Sequence, residues 1–458
     1  MAGLFAGLTP SAALAHASDR GFVLLLPTGH YLVGGALAVA ASFAVLLFVR
    51  PGALSRVMRW RLPVPTSMSS GRTVLSLLSF LLLCVLVAAG FLGSRDPLSN
   101  PLPLTVWTLF WIGLTLVSGV FGNVFAWVNP WYGPYTLATG LRGKAAQSPG
   151  LDRLGYLPAI LQFAAFAWFE LVYPAPDDPA RLAWVVSVYW VVNFAAMMAF
   201  GYDRWARHGE CFSVFFRMIS RLAIFERGED GRIALCAPSG KLVDIRPLPV
   251  SGVVFLLVAL TSVSFDGLMR TFAWLGAIGV NPLEFPGRST VMLANTFGLL
   301  GMAALLGAAF FLAIWLGEKL SGEPVATGHA AGLLIWSIAP IALAYHFAHY
   351  LIALLVNGQY ALAAISDPFS LGWNLFGTAD NYISAGLVMG PHAAWVLWNL
   401  QSAAIVGGHI LAVVVAHGLG ARLHATPRAA MLSQIPLTIL MILYTVFGLW
   451  LLSSPTGA

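Results

Sequence analysis

The sequence predicts an all-α, polytopic integral membrane helix bundle, and three observations predict it. Hydrophobic residues fill 59% of the 458 positions and charged residues only 9%, against about a quarter charged in a soluble domain. Apolar runs close to the ~20 residues that cross a bilayer as a helix recur along the whole chain. The basic residues fall between those runs. A soluble globule is excluded. The net charge of +6 is spread over separate loops rather than gathered on one face, so it reports topology, and no nucleic-acid partner is expected.

About ten spans follow in order. The first, about 29–49, is followed by Arg56, Arg59, Arg61 and Arg72; the second, about 73–93, by Arg95 and Asp96. The third, about 104–127, precedes Arg142, Lys144 and Arg153, and the fourth, about 156–173, precedes Asp177, Asp178 and Arg181. The fifth, about 182–202, opens the longest connection, with basic residues from Arg204 through Arg246. The sixth covers about 249–266, the seventh about 290–316 with Lys319 after it, and the eighth about 331–356. The ninth, about 393–416, is followed by Arg422 and Arg428, and the tenth covers about 431–452. Loops after odd-numbered spans are therefore the cytoplasmic ones, and both termini face outward.

The chain divides into a signal-like or external segment 1–28, spans one to five over 29–202, a cytoplasmic interfacial segment 203–247, and spans six to ten over 248–458 with an external loop at about 357–392. In the interfacial segment, Phe212, Phe215, Phe216, Ile219 and Leu222 lie to one side with Arg217 and Arg221 among them, a pattern for a helix lying on the membrane. Arg232–Ala237 and Lys241–Arg246 flank Pro238-Ser239-Gly240 as a small hairpin would. At the start, Ser11 to His16 place Ala13 and Ala15 at the small positions of a secretory cleavage site without a basic residue before them, so a signal peptide and a short external tail both fit. Cleavage after Ala15 would leave His16 as a copper-binding end. Cys84, Cys211 and Cys236 have no metal-type spacing.

Ionisable groups inside a span cost at least ~2.5 kcal/mol on insertion scales, so each is a candidate for chemistry. Span eight carries His346 and His349, whose spacing of three puts both imidazoles on one helix face. They lie about 10–15 Å below the expected outer end at ~1.5 Å per residue. Glu170 and Asp266 sit at the outer ends of spans four and six, on the same side of the membrane. The external loop adds Gln359, Asp367, Asp380 and His392, and His30 opens span one. A divalent metal held by His346 and His349, with Asp367 and His392 as further ligands, is one reading; zinc, manganese or iron suit such donors and copper suits them less. Helix-to-helix hydrogen bonding or a proton relay explains the histidine pair equally. Asp266 precedes Gly267 and fits a turn or cap, Glu170 fits a side chain reaching for water, and Asp367 precedes the turn-forming Pro368. His409, flanked by Gly407 and Gly408, suits a hydrogen bond to a close neighbouring helix, and His417 suits the interface. The aromatic run from Trp127 to Tyr135 reads as an interfacial belt. Phosphate-loop, nucleophile-elbow, H-E-x-x-H and haem-attachment motifs are absent from the sequence.

The segments S-F-D-G-L around Asp266, A-Y-H-F-A-H-Y around His346 and His349, G-Q-Y at Gln359, S-D-P-F at Asp367, L-F-G-T-A-D ending at Asp380 and G-G-H at His409 resemble a family of bacterial multi-spanning proteins labelled fenitrothion hydrolase. The resemblance covers about residues 250–452. It implies a bacterial inner-membrane hydrolase that cleaves the aryl ester bond of an organophosphorus triester, and it brings no established catalytic residues with it. The residues themselves supply the candidates: a metal held by His346 and His349 with a carboxylate such as Asp266 or Asp367, catalytic roles for Asp266 and Glu170, and a bound water attacking phosphorus. An apolar substrate would reach an outward-opening site through the lipid, and a second membrane subunit is a plausible partner. A transporter or metal-handling permease with an intramembrane path through His346, His349 and His409 is the alternative. A non-catalytic subunit of a membrane complex is a third.

Overall fold

The structure is a computed structural model that describes residues 26–49, 51–67, 71–142, 153–227 and 232–457. The start of the chain, with His16, lies outside the described residues. Ten apolar helices form a bundle: α1 Thr28–Leu46, α2 Arg72–Leu92, α3 Pro101–Phe121, α4 Leu157–Leu171, α5 Pro179–Phe200, α6 Val250–Met269, α7 Arg288–Ser321, α8 Ile338–Ser366, α9 Pro391–Leu423 and α10 Pro427–Ser453. Among the described residues nine are long enough to span a bilayer. The exception is α4, whose 15 residues reach only about 22 Å against a ~30 Å hydrocarbon core.

Local sequence sets where these helices begin. Asn100, Asp178 and Thr426 each accept a backbone N–H of the first turn of α3, α5 and α10, and each is followed at once by proline, which has no amide proton to leave unpaired. Within α3, Leu104–Leu114 winds as a π-helix, a widened form that is rare and often marks a functional site.

Large apolar side chains such as Leu81 on α2, Val188 on α5 and Leu305 on α7 point outward, as a lipid-facing surface requires. By contrast α6 is the axis of the bundle, buried over 72% of its span and packed against α4, α7 and α8. Small residues permit the closest approaches: a Cβ on Gly317 would stand 2.0 Å from the Ser433 carbonyl oxygen, and one on Gly408 would stand 2.4 Å from Ala344 Cβ.

The two ends of the bundle differ. At the basic end β1 Arg61–Ser67, β2 Phe225–Arg227 and β3 Arg232–Cys236 form an antiparallel sheet in the order β1-β3-β2. The connections after α1 and α5 therefore share one end. At the opposite end Arg288 Nη1 donates to the carbonyl of Tyr173, and Thr271 bridges Thr456, so the connections after α4 and α6 meet the chain's C-terminal residues there. This alternation is the one the loop charges predict.

Three expectations are corrected. The hairpin pairs 225–227 with 232–236, while Gly240–Leu242 is a 3-10 turn. The helix Cys211–Ile219 does not lie against lipid: Phe212, Phe215 and Phe216 are buried and pack edge-on or tilted against Phe110, Trp111 and Phe163. Its apolar face finds an aromatic pocket within the protein, where edge-to-face ring pairs add to the gain from burial. Finally, the loop after α8 begins near 367 rather than 357, because α8 runs on to Ser366 where Ala361 and Ala364 pack beside Leu104 of α3. At 29 residues α8 is about 43 Å long, more than the hydrocarbon core needs.

Candidate functional site

The candidate site lies where α4, α6 and α8 approach one another toward the end opposite the sheet. Burial of nearly the whole of α6 puts Asp266 inside the bundle, three residues before the helix ends, so it is neither a cap nor a turn residue. Its Oδ2 lies 2.8 Å from His349 Nε2 and accepts the Tyr350 hydroxyl at 2.9 Å. The side chains of His349 and Asp266 are 13% and 11% exposed, so the pair is largely shielded from water. Behind Tyr350 stands Glu170 of α4, its Oε1 3.4 Å from the phenol oxygen. A phenol has a single proton and serves one carboxylate at a time, so Tyr350 sits as a proton bridge between Asp266 and Glu170.

Cations frame the cluster. Arg288 Nη1 donates to the Glu170 carbonyl at 2.9 Å, tying the end of α4 to the start of α7, and Trp168 Nε1 donates to Thr296 Oγ1 at 2.9 Å further along the same two helices. Arg270 follows Asp266 by one helical turn, just past the end of α6. The two carboxyl groups thus meet an imidazole and a phenol directly, with arginines at the helix ends beside them.

His346 touches this cluster through Tyr350, its ring edge-on to the phenol with centroids 4.8 Å apart, and takes its hydrogen bond elsewhere. It is buried, and its Nε2 meets the Trp111 carbonyl at 3.1 Å while its ring stands edge-on to the Trp111 indole. The same carbonyl accepts Thr115 Oγ1 at 2.6 Å. Toward the sheet from His346, an enclosed gap of about 10 Å³ separates α3, α6 and α8. That is the threshold for holding one water. Its walls are apolar, with Leu256, Leu260, Val263 and Leu343.

The proposed metal ligands are not brought together. Asp367 accepts the amides of Leu371 and Gly372 at 2.9 and 2.8 Å and so shapes its own loop. His392 is exposed and stacks on Trp395. Gln359 ties α8 to the loop by accepting Ser384 N and donating to Ser384 O, and Asp380 and His30 are exposed. Among the described residues no group of three or more His, Cys, Asp or Glu side chains is placed to hold a metal ion. As placed, these donors do not fit a metal.

Further polar groups continue inward along the bundle interior. The hydroxyls of Ser264 on α6 and Tyr444 on α10 are hydrogen-bonded, and the Tyr444 ring lies 6.2 Å from that of His409. His409 Nδ1 meets its own helix at Ile405 O, 2.8 Å, rather than a neighbouring helix as expected, and its Nε2 is buried with no partner among the described residues. His417 is not interfacial but buried, both ring nitrogens again without a partner. At the basic end His424 Nε2 lies 3.4 Å from Glu318 Oε1, both side chains almost wholly inaccessible. Sequence reading missed Tyr350, Tyr444, Glu318 and His424. Of these, only Tyr350 carried a signal, as the last residue of A-Y-H-F-A-H-Y directly after His349.

No protein-family model, curated protein or solved structure matches this chain.

Proposed function

We propose that the protein is a proton-coupled membrane permease for an apolar small molecule, with the basic end in the cytoplasm and the Asp266 cluster toward the outside of a bacterial inner membrane. The observation that carries this reading is the carboxylate–imidazole contact between α6 and α8 inside the bundle, with Tyr350 and Glu170 behind it. Such groups are expensive within a membrane and mark proton or ion routes. A proton arriving at Glu170 passes over Tyr350 to Asp266 by the phenol giving up one proton as it takes another. His349 then receives or returns it. Neutralising Asp266 weakens its hold on His349, and with it the attachment of α6 to α8. The apolar gap next to His346 lies between these two helices, so loosening them opens a place for a lipophilic substrate. Ser264, Tyr444, His409, His417, His424 and Glu318 supply polar groups for the remaining distance.

Vesicles reconstituted with the protein and loaded with a pH dye test this. With fenitrothion outside as an apolar probe, an imposed pH gradient should collapse faster than in protein-free vesicles. Asp266→Asn and His349→Gln should each remove the difference, while His392→Ala should leave it intact. Collapse at the same rate in the Asp266 and His349 variants defeats the reading.

One observation favours the hydrolase as a second reading. Asp266 engages Nε2 of His349 and leaves Nδ1 unengaged among the described residues, as a dyad poised for general-base work would. In that role His349 takes a proton from water as the new oxygen–phosphorus bond forms and the aryl oxide leaves. Nitrophenol appearing in the same vesicles, dependent on Asp266 and His349 and indifferent to chelator, would decide for it.

A further inference from the structure

At the basic end a cavity of about 230 Å³ opens between α9, the short helix Pro51–Met58 and the turn at Leu242. Its floor is apolar: Met58, Leu242, Val415 and Leu419 are all buried. Its lining also contains two guanidiniums, Arg59 and Arg422. Arg422 is fixed in place by donating Nη1 to Val243 O at 2.8 Å and Nη2 to Ile245 O at 2.9 Å. These bonds use two of its five N–H groups and leave the rest for an anion. Arg59 is held on the other side by Asp244 at 2.7 Å, an exposed pair that contributes little to stability and is easily exchanged for another anion.

The surroundings say what kind of anion. Phe48, Val57, Trp60 and Leu62 are 89%, 66%, 49% and 52% exposed around the same end. An indole, a phenyl and aliphatic side chains beside arginines form the composition of a membrane–water boundary. The cavity mouth therefore lies at headgroup depth, where basic pockets between helices bind anionic lipid headgroups. A volume of 230 Å³ is below the ~300–1,000 Å³ of pockets that enclose whole ligands, and suits a phosphodiester with its glycerol while the acyl chains run over the exposed apolar belt.

We propose that this cavity is a binding site for an anionic phospholipid, its phosphate held by Arg59 and Arg422 and its glycerol region seated over Met58 and Leu419. The site is distinct from the Asp266 cluster and does not depend on what that cluster does.

Native mass spectrometry of the purified full chain tests the site, with phosphatidylglycerol added alone and then in competition with phosphatidylcholine or with inorganic phosphate. Phosphatidylglycerol should be retained preferentially, and neither phosphatidylcholine nor free phosphate should compete with it. Arg59→Gln should weaken retention about fivefold, from the ~1 kcal/mol that each basic residue contributes near an anionic surface. Arg422 also braces the 243–245 turn, so Gly418→Leu provides a second test that leaves both charges alone. A Cβ at Gly418 has Met58 Sδ 3.9 Å away, and the larger side chain would fill the cavity. Loss of phosphatidylglycerol in this variant supports the site. Equal retention of the two lipids by the native chain, displacement by inorganic phosphate, or undiminished retention in both variants overturns it.

Discussion

The contact between Asp266 and His349 makes a quantitative prediction through a double-mutant cycle. Asp266 Oδ2 serves two donors, His349 Nε2 at 2.8 Å and Tyr350 Oη at 2.9 Å, at a site where both members of the pair are under 15% exposed. Hydrogen bonds to charged groups contribute about 1.5–3 kcal/mol and neutral ones about 0.5–1.5. Interhelical bonds within membranes average nearer ~0.6 and reach ~1.7 kcal/mol, because the unfolded state also finds partners. Replacing charge with an amide in Asp266→Asn and imidazole with an amide in His349→Gln should therefore show a coupling of about 1–2 kcal/mol. Asp266→Ala should cost more, about 3 kcal/mol, since it strands a ring nitrogen and a hydroxyl in the interior without their acceptor. Unfolding by sodium dodecyl sulfate in mixed lipid micelles, followed by circular dichroism, measures all four corners of the cycle. Additivity within ~0.3 kcal/mol, the behaviour of sites that do not touch, would refute the argument that this pair binds α6 to α8.

Two glycines on the same helix should respond oppositely to alanine. Gly317→Ala drives a methyl group to 2.0 Å from the Ser433 carbonyl and should separate α7 from α10 at a cost above ~2 kcal/mol, whereas Gly301→Ala meets nothing within 4 Å and should gain up to ~1 kcal/mol in helix propensity, both read from midpoints of unfolding. Glu210, fully buried before the helix Cys211–Ile219, accepts Phe212 N at 2.9 Å and Ser213 N at 2.6 Å, yet burial pushes its carboxyl above the ordinary value. A raised carboxyl binds its proton more tightly folded than unfolded, so its contribution to stability is greatest below about pH 4.5 and declines as the pH rises toward the folded value. Thermal unfolding should show that decline flattened in Glu210→Gln, and equal slopes for the two proteins would contradict the assignment.

Helix number and the alternation of loops between two ends were legible because each rests on a local quantity. Apolar length decides whether a segment can span, and the charge of a short loop decides its side. That Asp266 and His349 share one depth was likewise legible, and shared depth is necessary for contact without being sufficient. Their contact with Tyr350 was not legible, because a tyrosine in an apolar run looks like packing until its hydroxyl is seen to face two carboxylates. Asp367 and His392 misled for the converse reason. Loop residues carry no depth constraint, and the same aspartate that suits a metal also suits two backbone amides. The amphipathic helix Cys211–Ile219 shows the limit of periodicity, which reveals an apolar face but not whether lipid or protein covers it. Glu318 escaped notice because nothing in its neighbourhood hints that a histidine over a hundred residues later, His424, will be buried against it.

The widened winding of α3 has a consequence for chain length. A helix closed by i→i+5 bonds accommodates residues that an ordinary winding would not, so Leu104–Leu114 behaves as slack stored in one strut. Removing one residue from it would return part of the segment to ordinary winding and leave what lies beyond in place, whereas the same loss from the α-helical remainder Thr115–Phe121 would swing everything after it through about 100°, the angle of one step in a 3.6-residue turn. Single-residue deletions within Leu104–Leu114 should thus be tolerated better than deletions within Thr115–Phe121.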